Sequence, residues 1–170
     1  TDSQVVESLQ DYEVVKHEGD LLQVKNTYDI FSLNELALKQ DFEFLTEGRK
    51  SAPIPDAAHC VNREHIFVEE GATVCLSSLN ASTGPIYIGA NSLVMESCAI
   101  RGPFALCENS ALKMGTNIYG ATTIGPHSTV GGEVKNVVIF GYSNKGHEGY
   151  LGNSVLGEWC NLGADTNSSN

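Results

Sequence analysis

One short stretch gathers most of the side chains able to do chemistry. Between Asn136 and Val155 lie Asn144, Lys145, His147, Glu148 and Tyr150, with Glu133 and Lys135 at the start of the stretch. An imidazole titrates near neutrality and can take a proton. An ammonium is a compact point charge suited to holding a phosphate. No other stretch puts a base, cations and hydrogen-bonding groups so close together. The rest of the chain has to supply the frame that holds them.

That frame is visible as a count of six. Ile88, Val94, Ile100, Leu106, Leu112, Ile118, Ile124 and Val130 fall on every sixth residue. Four places after each stands Ser92, Cys98, Phe104, Ser110, Thr116, Thr122, Ser128 or Val134, in most cases a small side chain. A helical period of 3.6 drifts against a six, so no helix carries this pattern. A fixed six is the mark of a hexapeptide β-helix, a triangular solenoid with one short strand per side and three hexads per coil. The aliphatic points into the prism, and the small residue faces inward near a corner. Gly89, Gly125 and Gly131 are placed at turns, where backbone freedom is useful.

The register has two breaks. Val68 and Val74 are six apart, and the solenoid is expected to begin near Ile66. From Val74 to Ile88 is fourteen residues, two more than two hexads, so a corner loop is expected over residues 80–85. After Val130 the pattern fails until Leu156 and Leu162, which lie two residues out of phase. This predicts an insertion over residues 136–155 that leaves the prism, and irregular segments on a scaffold are where function is usually mounted.

Residues 1–65 do not follow the six. Tyr12 to Val15 and Leu21 to Val24 are β-like, with a turn between them. Ser32-Leu33-Asn34-Glu35 reads as a capping box, with Phe31 and Leu36 at the staple positions. A helix is expected from about Leu33 to Thr46, stopped by Gly48, with a linker over residues 49–58 that holds Pro53 and Pro55.

The formal charge is −11 and the pI about 4.7. That argues against nucleic acid and an anionic membrane surface as partners, since both need a positive face. No apolar run reaches membrane-spanning length and no signal peptide is visible. The five cysteines, Cys60, Cys75, Cys98, Cys107 and Cys160, are odd in number and form no CxxC, so reduced thiols in a cytoplasmic protein are expected. The chain starts at Thr1 and stops at Asn170 inside a motif, and it reads as a fragment of a longer polypeptide.

Three quoted stretches carry a family resemblance. They are Glu133-Val134-Lys135, then His147-Glu148-Gly149-Tyr150-Leu151-Gly152-Asn153-Ser154, then Asn161-Leu162-Gly163-Ala164-Asp165-Thr166. Together they resemble the acetyltransferase half of the bifunctional N-acetylglucosamine-1-phosphate uridyltransferase/glucosamine-1-phosphate acetyltransferases. The match is closest to a bacterial branch often labelled sugar-phosphate nucleotidyltransferase. Asp165, where the family usually has Gly, and Glu148-Gly149 depart from the pattern. The resemblance implies an all-β, left-handed parallel β-helix over 66–170, incomplete at its C-terminus. Residues 1–65 would then be a small α+β segment, the remnant of a nucleotidyltransferase domain plus linker.

The same resemblance implies the chemistry. The β-helix would transfer acetyl from acetyl-CoA, a co-substrate, to glucosamine 1-phosphate in UDP-N-acetylglucosamine synthesis. Mg2+ would serve the absent nucleotidyltransferase domain, and the full-length protein would be a homotrimer with sites between subunits. His147 would be the general base and Glu133 would orient it. Lys135 would hold the sugar phosphate, and Tyr150, Asn161 and Asn170 would hydrogen-bond sugar or acetyl group. Ala164 would offer a backbone N–H near the thioester oxygen. Lys145 matches the pattern loosely and stays outside this set, and Arg101, in Arg-Gly-Pro, reads as a corner residue. No metal site is expected: His127 and His147 are twenty apart, and no third His makes the pair that zinc carbonic anhydrases on this scaffold use. A different alternative stays open, a non-catalytic trimerising or regulatory β-helix of a nucleotide-sugar pyrophosphorylase.

Overall fold

A computed structural model describes residues 21–168 together with Val15, Glu18 and Gly19. Among the described residues two α-helices come first, α1 (Asp29–Ser32) and α2 (Asn34–Thr46). Strands follow in coils of three. The first coil holds β1 (His59–Val61), β2 (Ile66–Val68) and β3 (Thr73–Val74). The second holds β4 (Ser78–Asn80), β5 (Ile86–Ile88) and β6 (Leu93–Val94). The third holds β7 (Ala99–Arg101), β8 (Phe104–Leu106) and β9 (Ala111–Leu112). The fourth holds β10 (Asn117–Tyr119), β11 (Thr122–Ile124) and β12 (Thr129–Val130). In the fifth, one long strand, β13 (Glu133–Ile139), rounds a corner and serves two sides, and β14 (Asn144–Lys145) makes the third. In the sixth, β15 (Tyr150–Leu156) does the same, and Asn161 bridges to Asn144.

Every pairing between strands is parallel, and each strand stacks on its equivalent one coil away. Side one is the stack β1-β4-β7-β10-β13, with the first half of β15 on top. Side two is β2-β5-β8-β11 with the second halves of β13 and β15. Side three is β3-β6-β9-β12-β14. This is a parallel β-helix, and its stack begins at His59, ahead of the expected start at Ile66.

The count of six is fulfilled inside the prism. All eight aliphatics from Ile88 to Val130 are at most 2% exposed. The residues four places after them are equally buried. Their hydroxyls are satisfied in place: Ser92 Oγ donates to Gly89 O at 2.6 Å, Ser110 Oγ to Gly125 O at 2.8 Å and Thr116 Oγ1 to Lys113 O at 2.6 Å. At one corner the hydroxyls also accept from the coil above, Ser110 from Ser128 N–H and Ser128 from Ser143 N–H. Ser143 Oγ in turn accepts from Cys160 N–H. Small polar residues thus fit the corner because each can cap backbone groups that two coils leave there. The expected loop over residues 80–85 is present between β4 and β5.

Three expectations fail. Residues 136–155 do not leave the prism; they form β13, β14 and β15. The phase shift comes from loss of residues. Asn117 pairs with Ala99 eighteen residues before it, but with Glu133 only sixteen after it. Thr123 pairs with Val138 fifteen residues on, and Val138 with Val155 seventeen on. The corner entering β13 has two residues, Gly131 and Gly132, where the corner entering β10 has the four from Lys113 to Thr116.

The capping box does not form either: Leu33 is the N-cap of α2 and makes no side-chain cap bond. Ser32 belongs to α1, and its Oγ donates to Tyr28 O instead. Asp29 Oδ2 accepts from the Lys25 and Asn26 N–H groups and fixes the start of α1. Leu21 to Val24 has no strand partner, and the β-like stretch from Tyr12 lies outside the described residues but for Val15. The described residues ahead of β1 therefore contribute helices only.

Helix α2 lies against side two. Asn34 is buried; its Nδ2 donates to Ala121 O at 3.0 Å and its Oδ1 accepts from Thr123 Oγ1 at 2.9 Å. Leu38 packs on Ala105 and Ala121. Gly48, at φ +68°, ends the helix as expected.

Leu112 sits in the third-side file between Val94 and Val130 with no exposure. Leu112→Ala is expected to lower the unfolding free energy by about 2–5 kcal/mol, measured by urea denaturation. Leu76→Ala, at an exposed corner, should change it by no more than ~0.5 kcal/mol. Equal losses at the two positions would contradict the buried file.

Candidate active site

Side one carries the polar surface. Register places Asn117, Glu133 and Tyr150 in one outward column and Tyr119, Lys135 and Gly152 in the next. Strand alternation does this, because Ile118, Val134 and Leu151 between the columns turn inward and are buried. Tyr119 Oη donates to the Glu133 carboxylate in a short hydrogen bond. The Lys135 ammonium lies 5.9 Å from the Tyr119 ring centroid, within cation–π range. Lys135 has no ion pair among the described residues. The Tyr150 hydroxyl lies over Gly152, where any larger residue would meet it. Below these groups runs an open groove of about 670 Å³, lined by Ser78, Asn80, Arg101, Asn117, Tyr119 and Glu133 among others.

His147 is mounted on the corner that leads from side three into side one. It is exposed, and with Lys113, Met114 and Glu148 it borders a hollow of about 190 Å³. Its carbonyl accepts from Lys145 Nζ at 3.0 Å. The corner after β14 lies directly under the Gly163–Thr166 turn, where Asp165 N–H donates to Glu148 O at 3.0 Å. Ala164 is exposed in that turn, and its N–H has no partner among the described residues. Asn161 lies on side three, its Oδ1 accepting from Asn144 Nδ2 at 2.6 Å. Asn170 lies outside the described residues.

The structure therefore brings Lys135, Glu133 and Tyr150 onto one surface, with His147 at its edge. Asn161 follows Tyr150 on the sixth coil, and Ala164 lies in the turn after it. No hydrogen bond joins Glu133 to the His147 ring; the carboxylate is held by Tyr119. That partner was missed because three regular hexads place Asn117, eighteen residues back, beside Lys135. The shortened coil puts Tyr119 there instead. Lys145, left outside the set by its loose match to the motif, has a different place from its neighbours in sequence. It is not in a loop but inside the prism, paired with Val130 and 2% exposed. Burial pushes its ammonium below the usual lysine range, partly opposed by the charge of Glu148.

Fold and site together describe a parallel β-helix of hexapeptide type with a polar side and a histidine-bearing corner. No family model matches the chain. Known proteins do resemble it. It is 25% identical to the bifunctional protein GlmU of Alkaliphilus metalliredigens over 178 residues, which covers 88% of this chain and 38% of the relative. It is 25% identical to that of Synechococcus elongatus over 174 residues, with the same coverage. Over a shorter stretch of 86 residues it is 30% identical to the Trichodesmium erythraeum GlmU, 49% of this chain and 18% of the relative. The similarity lies in the C-terminal part of the GlmU proteins, so the resemblance read from the motifs holds. The chain spans about 38% of the length of the Alkaliphilus metalliredigens and Synechococcus elongatus relatives.

The hydrogen bond to Glu133 pushes the Tyr119 phenol up to about 12. The sign follows from the acceptor: a carboxylate favours the protonated phenol and resists its ionisation. Glu133→Gln should bring the Tyr119 titration down towards the ordinary value of about 10, followed by ultraviolet difference titration against a Tyr119→Phe control. A transition that stays near 12 in Glu133→Gln would show that the link does not set it.

Proposed function

We propose that the chain is part of a sugar-phosphate nucleotidyltransferase whose β-helix, left-handed as in the family it resembles, transfers acetyl from acetyl-CoA to glucosamine 1-phosphate. The observation that supports this best is the placement of Lys135 and Tyr150 on one outer side with His147 at its edge, within a chain similar to GlmU proteins. In this reading the ammonium of Lys135 grips the sugar phosphate as a point charge. The substrate amine attacks the thioester carbonyl carbon, and a C–N bond forms as the C–S bond breaks. His147 takes the amine proton, and the thiolate of coenzyme A leaves. The N–H of Ala164, without a partner among the described residues, suits the developing thioester oxyanion. Tyr150, Asn161 and Asn170 hydrogen-bond the sugar or the acetyl group. Glu133 orients His147 only by exchanging its Tyr119 partner. Mg2+ would serve uridyl transfer by a nucleotidyltransferase domain of the full-length protein. The full-length protein is a homotrimer with shared sites, in the cytoplasm.

A second reading has one observation in its favour. The His147 ring has no carboxylate partner among the described residues, which suits a β-helix that trimerises or regulates a nucleotide-sugar pyrophosphorylase without catalysing anything.

Acetyl-CoA-dependent loss of free amine from glucosamine 1-phosphate, assayed on the full-length protein, separates the two. His147→Ala should lower kcat by about a hundredfold or more, the usual contribution of a positioned base. Lys135→Ala should chiefly raise the sugar Km, since a phosphate anchor grips substrate and transition state alike. Full activity in His147→Ala would refute the mechanism. No acetyl transfer by the wild type with any hexosamine 1-phosphate would favour the non-catalytic module.

A further inference from the structure

The corners that lead into side one have three or four residues in the other coils, and one has only two. The corner entering β10 has four residues, Lys113 to Thr116, and Thr116 turns its hydroxyl inward to Lys113 O. The corner entering β15 also has four, Gly146 to Gly149. The corner entering β13 between them has only Gly131 and Gly132. Gly132 stands just before its strand, as Thr116 does, and has no side chain to turn inward. The Cβ it lacks would lie 3.0 Å from Lys145 Nζ and 3.0 Å from His147 O.

That space is filled from the adjoining strand. Lys145 occupies the third-side file of Val74, Val94, Leu112 and Val130, all of them aliphatic. Its stem follows the file, and its Nζ ends under the corner. There it donates to Gly131 O at 2.8 Å and to His147 O at 3.0 Å. An aliphatic residue at 145 would leave the buried Gly131 carbonyl and the part-buried His147 carbonyl without this donor, a costly arrangement.

We propose that Lys145 is a positioning residue: its buried ammonium ties the two-glycine corner to the main chain of His147 and so fixes where the imidazole stands beside side one. The tie acts through backbone, so it sets the ring's location and leaves its chemistry untouched. A base must lie within hydrogen-bond reach of the proton it takes, and small displacements of such a group are costly. The kinetic part of this inference rests on the acetyl-transfer reading above; the structural part does not.

The test uses two variants of the full-length protein. Lys145→Met keeps an unbranched stem that suits the file and deletes the donors. Lys145→Gln keeps a neutral, shorter donor. Hydrogen–deuterium exchange over residues 146–149 should accelerate about tenfold or more in Lys145→Met and less in Lys145→Gln, as a local opening, with protection of Ala111–Leu112 unchanged. With acetyl transfer assayed, kcat should fall about tenfold or more in Lys145→Met, with the sugar Km within about twofold. Lys145→Gln should fall between Lys145→Met and the wild type. Unchanged exchange over 146–149 overturns the tie. Faster exchange with unchanged kcat overturns its positioning role. Loss of protection through every coil, with kcat falling in proportion, reduces Lys145 to a core residue and also overturns the proposal. If the wild type transfers no acetyl group, the functional reading fails and exchange alone decides the tie. If Lys145→Met does not fold, the same readouts on Lys145→Gln decide it.

Discussion

The constraint on which everything else depends is backbone pairing between coils. Each strand is only two or three residues long in most coils, too short to be stable alone. Its N–H and C=O groups find partners only if the next coil lies directly above in register. That condition fixes the cross-section. Inside it, Ile88, Leu106, Ile124 and Ile139 form one file and Leu79, Ile100, Ile118 and Val134 another. Corners are where pairing is hardest, and the described residues contain no buried side-chain N or O atom without a partner. The serine ladder from Ser110 through Ser128 to Ser143 is how that comes about.

The solenoid was legible because inward direction repeats with the strand and corner count, and the repeat is written in residue size. Ile88 to Val130 shows it without interruption. What a count of six cannot reveal is direction of change. The fifth coil loses three residues and the sixth loses one, against coils of eighteen. A loss of four shifts a six-residue phase just as a gain of two does, so Leu156 and Leu162 suggested an insertion that does not exist. Side-chain geometry near the helix was less legible for a local reason. Ser32-x-x-Glu35 has the right spacing for a cap, but Asp29 starts a helical turn three residues earlier and takes Ser32 into it. In the site, Lys135, Tyr150 and His147 stand near one another because they lie within one coil of each other. Tyr119 and Lys145 depend on coil length and were hidden with it.

One corner shows how local backbone cost and surface contact trade against each other. Between sides two and three the turning residues are Asn91, Asn109, His127, Tyr142 and Trp159, all with φ between +55° and +59°. Asparagine tolerates this left-handed conformation; bulky residues are uncommon in it. Each such residue carries a strain of order 1 kcal/mol. Yet the three rings stack nearly parallel, His127 on Tyr142 at 4.9 Å and Tyr142 on Trp159 at 4.6 Å. Aromatic pairs contribute about 0.5–1.5 kcal/mol each beyond area burial, enough to offset much of that strain. The spacing of coils brings the rings to contact distance, so the ladder is a product of the stack.

The shortened fifth coil is also what gives the polar side its character. Had the corner entering β13 kept four residues, the chain would have advanced two more places before pairing with β10. The short corner instead sets Glu133 beside Asn117 and Lys135 beside Tyr119. The phenol then lies between a carboxylate and an ammonium, donating to one and offering its ring face to the other. The same lost residues remove the inward hydroxyl under the His147 corner and open the space that Lys145 fills. One contraction of two residues therefore decides which charges meet on the outer surface and which cation enters the core. In a scaffold whose repeats are otherwise interchangeable, a change in coil length creates a local difference that no single substitution could, because it alters the neighbours of every residue on the coil at once.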